Sequence, residues 1–233
     1  MFPLYDENPT RSIPWVTFGL IGLNCLVFLW QISLGPVGER ALLSFGFIPA
    51  VLFGQADLPP ELAVVPPYLT LLSSQFLHGG FMHLAGNMLY LWIFGNNVEE
   101  ALGPLRYTLF YLACGIAAAL FQGSVEWGST IPMIGASGAI SGVLGAYVLL
   151  FPRARILVLI PLGFILYPAR LSAMWVLGAW FLLQSAGALL GHADQPGIAW
   201  WAHFGGFIAG CVLILFVRRR GVPLFAPAPA ERR

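Results

Sequence analysis

The 233-residue sequence has no lysine and few charges of either sign: eleven arginines and ten Asp or Glu make up 9% of the chain, against roughly 25% in an ordinary soluble domain. This scarcity excludes a conventionally charged, water-solvated surface. The net charge of +1 is too small for a nucleic-acid footprint, so no nucleic-acid partner is expected. Cysteine is scarce as well. Cys25, Cys114 and Cys211 fall in three different apolar stretches, with no spacing suited to a metal centre or a disulfide framework, and read as small apolar residues. What dominates is apolar residues, 58% of the chain, with a mean hydropathy of +0.81. The composition is that of an integral membrane protein.

Apolar runs near the roughly 20 residues needed to cross a bilayer lie at 14–34, 82–98, 104–123, 135–151, 170–190 and 200–217. The expected fold class is therefore all-α, a polytopic bundle of six transmembrane helices. Residues 1–13 read as a cytoplasmic N-terminal stub and 14–217 as the membrane domain, with 35–80 as its long outer loop or lobe. Residues 218–233 read as a basic, Pro/Ala-rich cytoplasmic tail. With both termini inside, ten of the eleven arginines lie on the cytoplasmic side and only Arg40 outside, as the positive-inside bias requires. Twelve residues from Ile156 to Tyr167, containing Pro161 and Gly163, are too few to span and are expected to be interfacial or re-entrant. The first helix is too long for a signal-peptide core, and no Arg/Ser-rich transit segment precedes it. A bacterial plasma membrane is the expected location.

Against this background, two residues carry chemistry. Ser137 lies in Gly135-Ala136-Ser137-Gly138 and His203 in Trp200-Trp201-Ala202-His203, both inside spanning runs, where an ionisable side chain marks a functional site by default. Depth can be counted from the cytoplasmic ends. Ser137 precedes Arg153 by 16 residues, His203 precedes Arg218 by 15 and His83 precedes Glu99 by 16. At 1.5 Å per residue each lies about 24 Å from the inner end, roughly 6 Å below the outer edge of the hydrocarbon core. Asn87 follows His83 by one turn on the same helix face. Gly138, Gly142 and Gly145, with Gly206 and Gly210 on the last helix, have the small-xxx-small spacing that lets helices meet closely. A serine in such a helix is by itself an ordinary packing residue, and a lone histidine can be a structural interhelical bond. Convergence of Ser137, His203, His83 and Asn87 on one layer points instead to a nucleophile, a base and hydrogen-bond donors. His78 and His192 fall at loop or interface positions.

These residues resemble the rhomboid intramembrane serine proteases. The resemblance rests on Gly-Ala-Ser-Gly at 135–138, on Ala202-His203 followed by Gly206 and Gly210, on His83-Leu-Ala-Gly-Asn87, and on Phe94-Gly-Asn-Asn-Val-Glu99, and it covers about 70–217. It implies a Ser-His dyad, with Ser137 as nucleophile and His203 as general base and then acid. His83, Asn87 and the Ser137 backbone N–H would stabilise the oxyanion. Gly135 and Gly138 would leave that region unblocked, while Gly142, Gly206 and Gly210 support the close packing. No acidic third member lies in the layer, and no metal or cofactor is implied. Two departures stand out. The tyrosine that some members carry one turn after the nucleophile is Ser141 here, leaving the orientation of His203 open, and the first-loop tryptophan-arginine pair is missing from 35–80.

The implied function is an intramembrane endopeptidase acting on other proteins' transmembrane segments near their outer ends. Entry would be lateral, beside the fifth helix, with the 191–199 loop as a cap. Alternatives are a catalytically silent rhomboid-like binder of membrane clients, which would be expected to lack Ser137 or His203, and a small transporter, which would be expected to show repeats and polar residues continuing inward.

Overall fold

The computed structural model describes residues 1–190 and 198–227. In chain order it contains β1 (Phe2–Asp6), α1 (Trp15–Ser33), α2 (Gly38–Phe45), α3 (Pro49–Leu52), α4 (Thr70–Ser73), α5 (Phe81–Leu102), α6 (Pro104–Val125), α7 (Ser137–Leu150), β2 (Arg155–Leu162), β3 (Ile165–Ser172), α8 (Ala173–Leu190) and α9 (Trp200–Val217). Most of the cap expected over 191–199, together with His192, Arg232 and Arg233, lies outside the described residues.

The protein is a multi-pass membrane protein. Four helices, α1, α6, α8 and α9, are long and apolar enough to cross a bilayer. The longer α5 carries His83, Asn87, Asn96, Asn97, Glu99 and Glu100 along its 22 residues, which lowers its hydropathy. The apolar α7 has only 14 residues, about 21 Å at 1.5 Å per residue. It starts two residues later than the sequence pattern suggests, because Gly135 takes φ +121°, a conformation outside any helix. Eleven of its fourteen residues are buried, which makes α7 the centre of the bundle.

The expectation of an all-α fold is corrected: the chain is mostly helical, with a three-stranded antiparallel sheet of order β1-β2-β3. The segment expected to be interfacial or re-entrant is a β-hairpin, its register running from Arg155↔Ser172 to Leu162↔Ile165. The reason is local. Ile156, Val158 and Ile160 are β-branched at alternating positions, and Gly163 at φ +61° supplies the left-handed turn residue that a two-residue hairpin loop needs. Ile156 and Val158 are fully buried, so one strand face packs against the bundle. The hairpin also claims residues 170–172, which moves the start of α8 to Ala173. Phe2 pairs with Leu159 and Asp6 with Ile156, so the first strand completes the sheet.

Polar contacts tie this face together. Tyr147 on α7 donates to Asp6 Oδ2 at 2.6 Å, Arg170 meets Glu7 at 2.7 Å, and Asn97 donates to the Asn8 carbonyl at 2.6 Å. Burial pushes the Asp6 carboxyl up to about 6, with the Tyr147 hydrogen bond opposing. Glu99, itself buried, accepts from the N–H groups of Val16 at 3.0 Å and Thr17 at 2.8 Å and from the Thr17 hydroxyl at 2.7 Å. It therefore satisfies first-turn amides of α1 with a charge of the sign a helix N-terminus favours. After α9 the chain crosses this same end: Arg219 N–H bonds the Ala101 carbonyl, and Phe225 and Ala226 bond the carbonyls of Leu149 and Leu150.

At the opposite end, α2 to α4 form the lobe between α1 and α5. It holds the strand-like approach to α7: Phe47 and Met133 exchange backbone hydrogen bonds at 3.0 and 2.7 Å, and Gly135 N–H bonds the Ser74 carbonyl at 2.9 Å. The chain is thus fixed immediately before Ser137.

Candidate active site

Ser137 is the first residue of α7, so its backbone N–H is among the first-turn amides with no carbonyl in its own helix. His203 stands in the first turn of α9 and is 8% exposed. Contact between these two helices is made by backbone. A Cβ at Gly206 would run into the Gly138 carbonyl, one at Gly210 would lie 2.5 Å from the Cα and carbonyl carbon of Gly142, and one at Gly145 would lie 3.1 Å from Cys211 N. Toward α6, a Cβ at Gly138 would lie 2.7 Å from the Ala118 methyl. Small residues on all three helices bring α7 and α9 close enough for short side chains to meet.

They do meet. Ser137 Oγ lies 2.8 Å from His203 Nε2, and His203 Nδ1 lies 2.6 Å from Gln184 Oε1 on α8. An amide oxygen only accepts, so Nδ1 carries the proton in this arrangement and Nε2 offers its lone pair to the serine hydroxyl. The histidine ring is flanked by Trp180, with centroids 6.0 Å apart, and by Trp200 at 6.4 Å nearly edge-on. The adjacent amide of Ala202 bonds Gln122 Oε1 at 3.0 Å, fixing the start of α9 against α6.

His83 projects from the first turn of α5 toward the same point. A Cβ at Gly135 would lie 2.8 Å from both His83 Cε1 and Nε2, so only glycine fits between that ring and the serine turn. Gly79 N–H donates to His83 Nδ1 at 3.4 Å, which leaves Nε2 as the protonated nitrogen facing Gly135. Asn87, one turn deeper, is buried, and its Nδ2 has no hydrogen-bond partner. His78 packs its ring 5.2 Å from that of His83. It sits in the connection before α5, and burial, with His83 beside it, pushes it down to about 4, so it is neutral at physiological pH.

Of the residues singled out from sequence, Ser137 and His203 are in direct contact, and His83 and Gly135 lie against each other beside them. Gly138, Gly142, Gly206 and Gly210 form the helix contacts beneath. Asn87 contributes a buried unpaired donor on the His83 face. Ser141, where a tyrosine could have stacked on the histidine, instead donates to the Ser137 carbonyl at 2.6 Å. Gln184 was missed, although a signal existed: it is the one carboxamide in α8, whose only other polar side chain is Ser185. Among the described residues no group of three or more His, Cys, Asp or Glu is placed to hold a metal ion.

Comparison with known proteins places this geometry in context. The family model of the Rhomboid domain matches residues 66–220, which takes in α5 to α9 and every residue of the cluster. Rhomboid protein 1, mitochondrial, of Saccharomyces cerevisiae is 31% identical over 218 residues, covering 90% of this chain and 54% of its own length. RHOMBOID-like protein 5 of Arabidopsis thaliana is 29% identical over 208 residues, covering 89% and 60%. Rhomboid protease GluP of Bacillus subtilis is 37% identical over 147 residues, covering 62% and 26%. The chain thus spans between about a quarter and three-fifths of these relatives. With the family model matching well over half of its residues, the chain belongs to the Rhomboid family.

Proposed function

We propose that the protein is an intramembrane serine endopeptidase that cleaves the transmembrane segments of other membrane proteins with a Ser137–His203 dyad. The single observation that carries this reading is the 2.8 Å contact between Ser137 Oγ and His203 Nε2, made in the tautomer that a general base needs. The relative from Bacillus subtilis, the rhomboid protease GluP, supports it.

In the proposed reaction, His203 Nε2 takes the Ser137 hydroxyl proton as Oγ bonds to the scissile carbonyl carbon, and the carbonyl π pair moves onto oxygen. This reading assigns three donors to that oxyanion: the Ser137 N–H, His83 Nε2–H and Asn87 Nδ2, which is buried and has no other partner. One such donor is worth about 3 to 4 kcal/mol in other serine proteases. Collapse breaks the C–N bond, and the imidazolium hands its proton to the leaving amine. Water, deprotonated by His203, then hydrolyses the acyl ester and restores the serine. His83 and Asn87 are proposed as oxyanion donors, and Gly135 as the residue whose missing side chain leaves room for them.

Topology belongs to the same proposal. All six long helices span, α5 and α7 being sheltered by their neighbours, and the end bearing β1–β3, Arg106, Arg153 and Arg218–Arg220 faces the cytoplasm of a bacterial plasma membrane. The dyad then lies toward the outer face, about one helical turn below the surface, where water for deacylation is within reach. Its partners are membrane-protein substrates with a transmembrane segment and the surrounding lipid bilayer.

The test is cleavage of a model single-span substrate by the purified protein in detergent or liposomes. Cleavage is expected for the wild type and lost in Ser137→Ala and His203→Ala. Wild-type rates in Ser137→Ala would refute the dyad.

A further inference from the structure

His203 has two ring nitrogens, and only one faces the serine. The other is held by a side chain that neither the dyad nor the oxyanion donors include. Gln184 stands on α8 between residues of opposite character. Leu182 and Leu183, immediately before it, are 69% and 67% exposed on the lipid-facing side, whereas Phe181 stacks on Phe207 of α9 with centroids 4.4 Å apart and on Phe204 at 5.2 Å. Those stacks fix the rotation of α8 and turn Gln184 inward, where Oε1 reaches His203 Nδ1 at 2.6 Å. Trp180 lies over the same imidazole.

We propose that Gln184 is a positioning residue for the reaction assigned above, on which this inference rests: its carboxamide oxygen holds His203 in the Nδ1–H tautomer with Nε2 aimed at Ser137. The chemistry favours an amide for this task. A carboxylate would hold the same proton and would stabilise the imidazolium more strongly, but it would bring an uncompensated charge to a site walled by Trp180, Trp200 and Phe207. A neutral acceptor fixes the tautomer without that desolvation cost, and the bond strengthens when the ring becomes charged. The same amide turned end for end would offer N–H to Nδ1, leaving the proton on Nε2 and the base disabled. One side chain therefore selects between an active and an inactive imidazole. It also supplies what the Ser141 position lacks, a group that orients the ring.

The experiment compares Gln184→Met, which keeps the length and removes the acceptor, with Gln184→Glu, which keeps an acceptor oxygen. Wild type and both variants are purified in detergent, checked for equal thermal unfolding, and read two ways. Nitrogen-15 NMR of histidine-labelled protein, with His203→Ala to assign the signal, is expected to show His203 protonated at Nδ1 in the wild type and redistributed between tautomers in Gln184→Met. In substrate cleavage, Gln184→Met is expected to lose about tenfold or more in kcat with KM within about twofold, and Gln184→Glu to recover both the tautomer and most of kcat. A Gln184→Met protein with the wild-type tautomer, or with wild-type kcat, overturns the proposal. Failure of the peptidase reading is seen separately, as cleavage that survives Ser137→Ala, and leaves the NMR arm decisive for Gln184.

Discussion

Gly210→Ala adds one methyl group where α7 and α9 touch backbone to backbone, and the structure gives the size of the consequence. The new Cβ would stand 2.5 Å from the Gly142 Cα and carbonyl carbon, with the carbonyl oxygen nearer still, whereas ordinary contact begins at 3.4 Å. Neither partner is a side chain that can rotate away, so the helices must part by about 0.9 Å or more at that point. Gly210 lies two turns below His203, about 10 Å along α9. Rigid displacement of the helix by that amount lengthens the Ser137–His203 contact from 2.8 Å to about 3.7 Å, beyond hydrogen-bond range. General-base assistance is worth roughly 10² to 10⁴ in rate. Overpacking costs about 1 to 3 kcal/mol, which leaves a folded protein to assay.

The expected result is therefore a folded variant whose kcat falls by about 100-fold or more, with labelling of Ser137 by a fluorophosphonate probe lost in parallel. Gly178→Ala is the matched control. A Cβ at Gly178, on α8, meets nothing within 4 Å, so the same substitution there is expected to leave cleavage unchanged and to favour the helix slightly. Cleavage by Gly210→Ala within twofold of wild type would refute the claim that backbone contact between α7 and α9 sets the dyad distance. A loss matched by an equal loss of folded protein would refute it too.

Three further outcomes follow from other parts of the molecule. Gly135→Ala forces a side chain onto φ +121° and into the His83 ring 2.8 Å away, and is expected to cost more than about 1 kcal/mol and to abolish serine labelling; an active, equally stable variant would contradict the arrangement of the turn. Glu99→Ala removes the carboxylate that accepts three hydrogen bonds from Val16 and Thr17, and is expected to lower stability by about 2 to 3 kcal/mol, read as detergent or thermal unfolding, with Glu99→Gln losing less. Asp6 titrates near 6 in the folded chain against 3.8 when free, so the docking of β1 is strongest at low pH and weakens as pH rises through 6, by up to about 3 kcal/mol. Protection factors of residues 2–6, with the base-catalysed intrinsic exchange rate divided out, should be lower at pH 8 than at pH 5, and Asp6→Asn should flatten that difference.

The helices were legible because a bilayer imposes length and hydropathy on each run separately, with no need to know its neighbours. The three counts to Arg153, Arg218 and Glu99 draw on the same constraint. Rise per residue converts sequence distance into an expected depth, and the structure puts Ser137 and His203 in contact. The sheet was only half legible: Ile156, Val158, Ile160 and Gly163 are local signals of the hairpin, but the pairing with the third strand is non-local. Ile156 to Tyr167 is a short apolar run that periodicity alone does not resolve, and its partner strand lies some 150 residues earlier, at Phe2–Asp6. Nor is that strand marked by alternation, since only Pro3 within it is buried.

Gln184 illustrates the limit inside the site. It precedes the end of α8 by six residues and follows Arg170 by 14, about 21 Å, so depth counting alone would have placed it within a turn of His203. Depth is one coordinate, however, and a helix in a bundle has a second, its rotation. Whether a lone carboxamide on α8 faces lipid or the imidazole is decided by Phe181 against Phe204 and Phe207, contacts between aromatic residues that occur throughout the sequence and carry no pairing signal of their own. Glycine stripes on α7 and α9 encoded both coordinates at once, because small residues state which face must meet a neighbour. Ser137 and His203 were therefore readable, and Gln184 was not: α7 and α9 are docked by missing side chains, and α8 is docked by large ones.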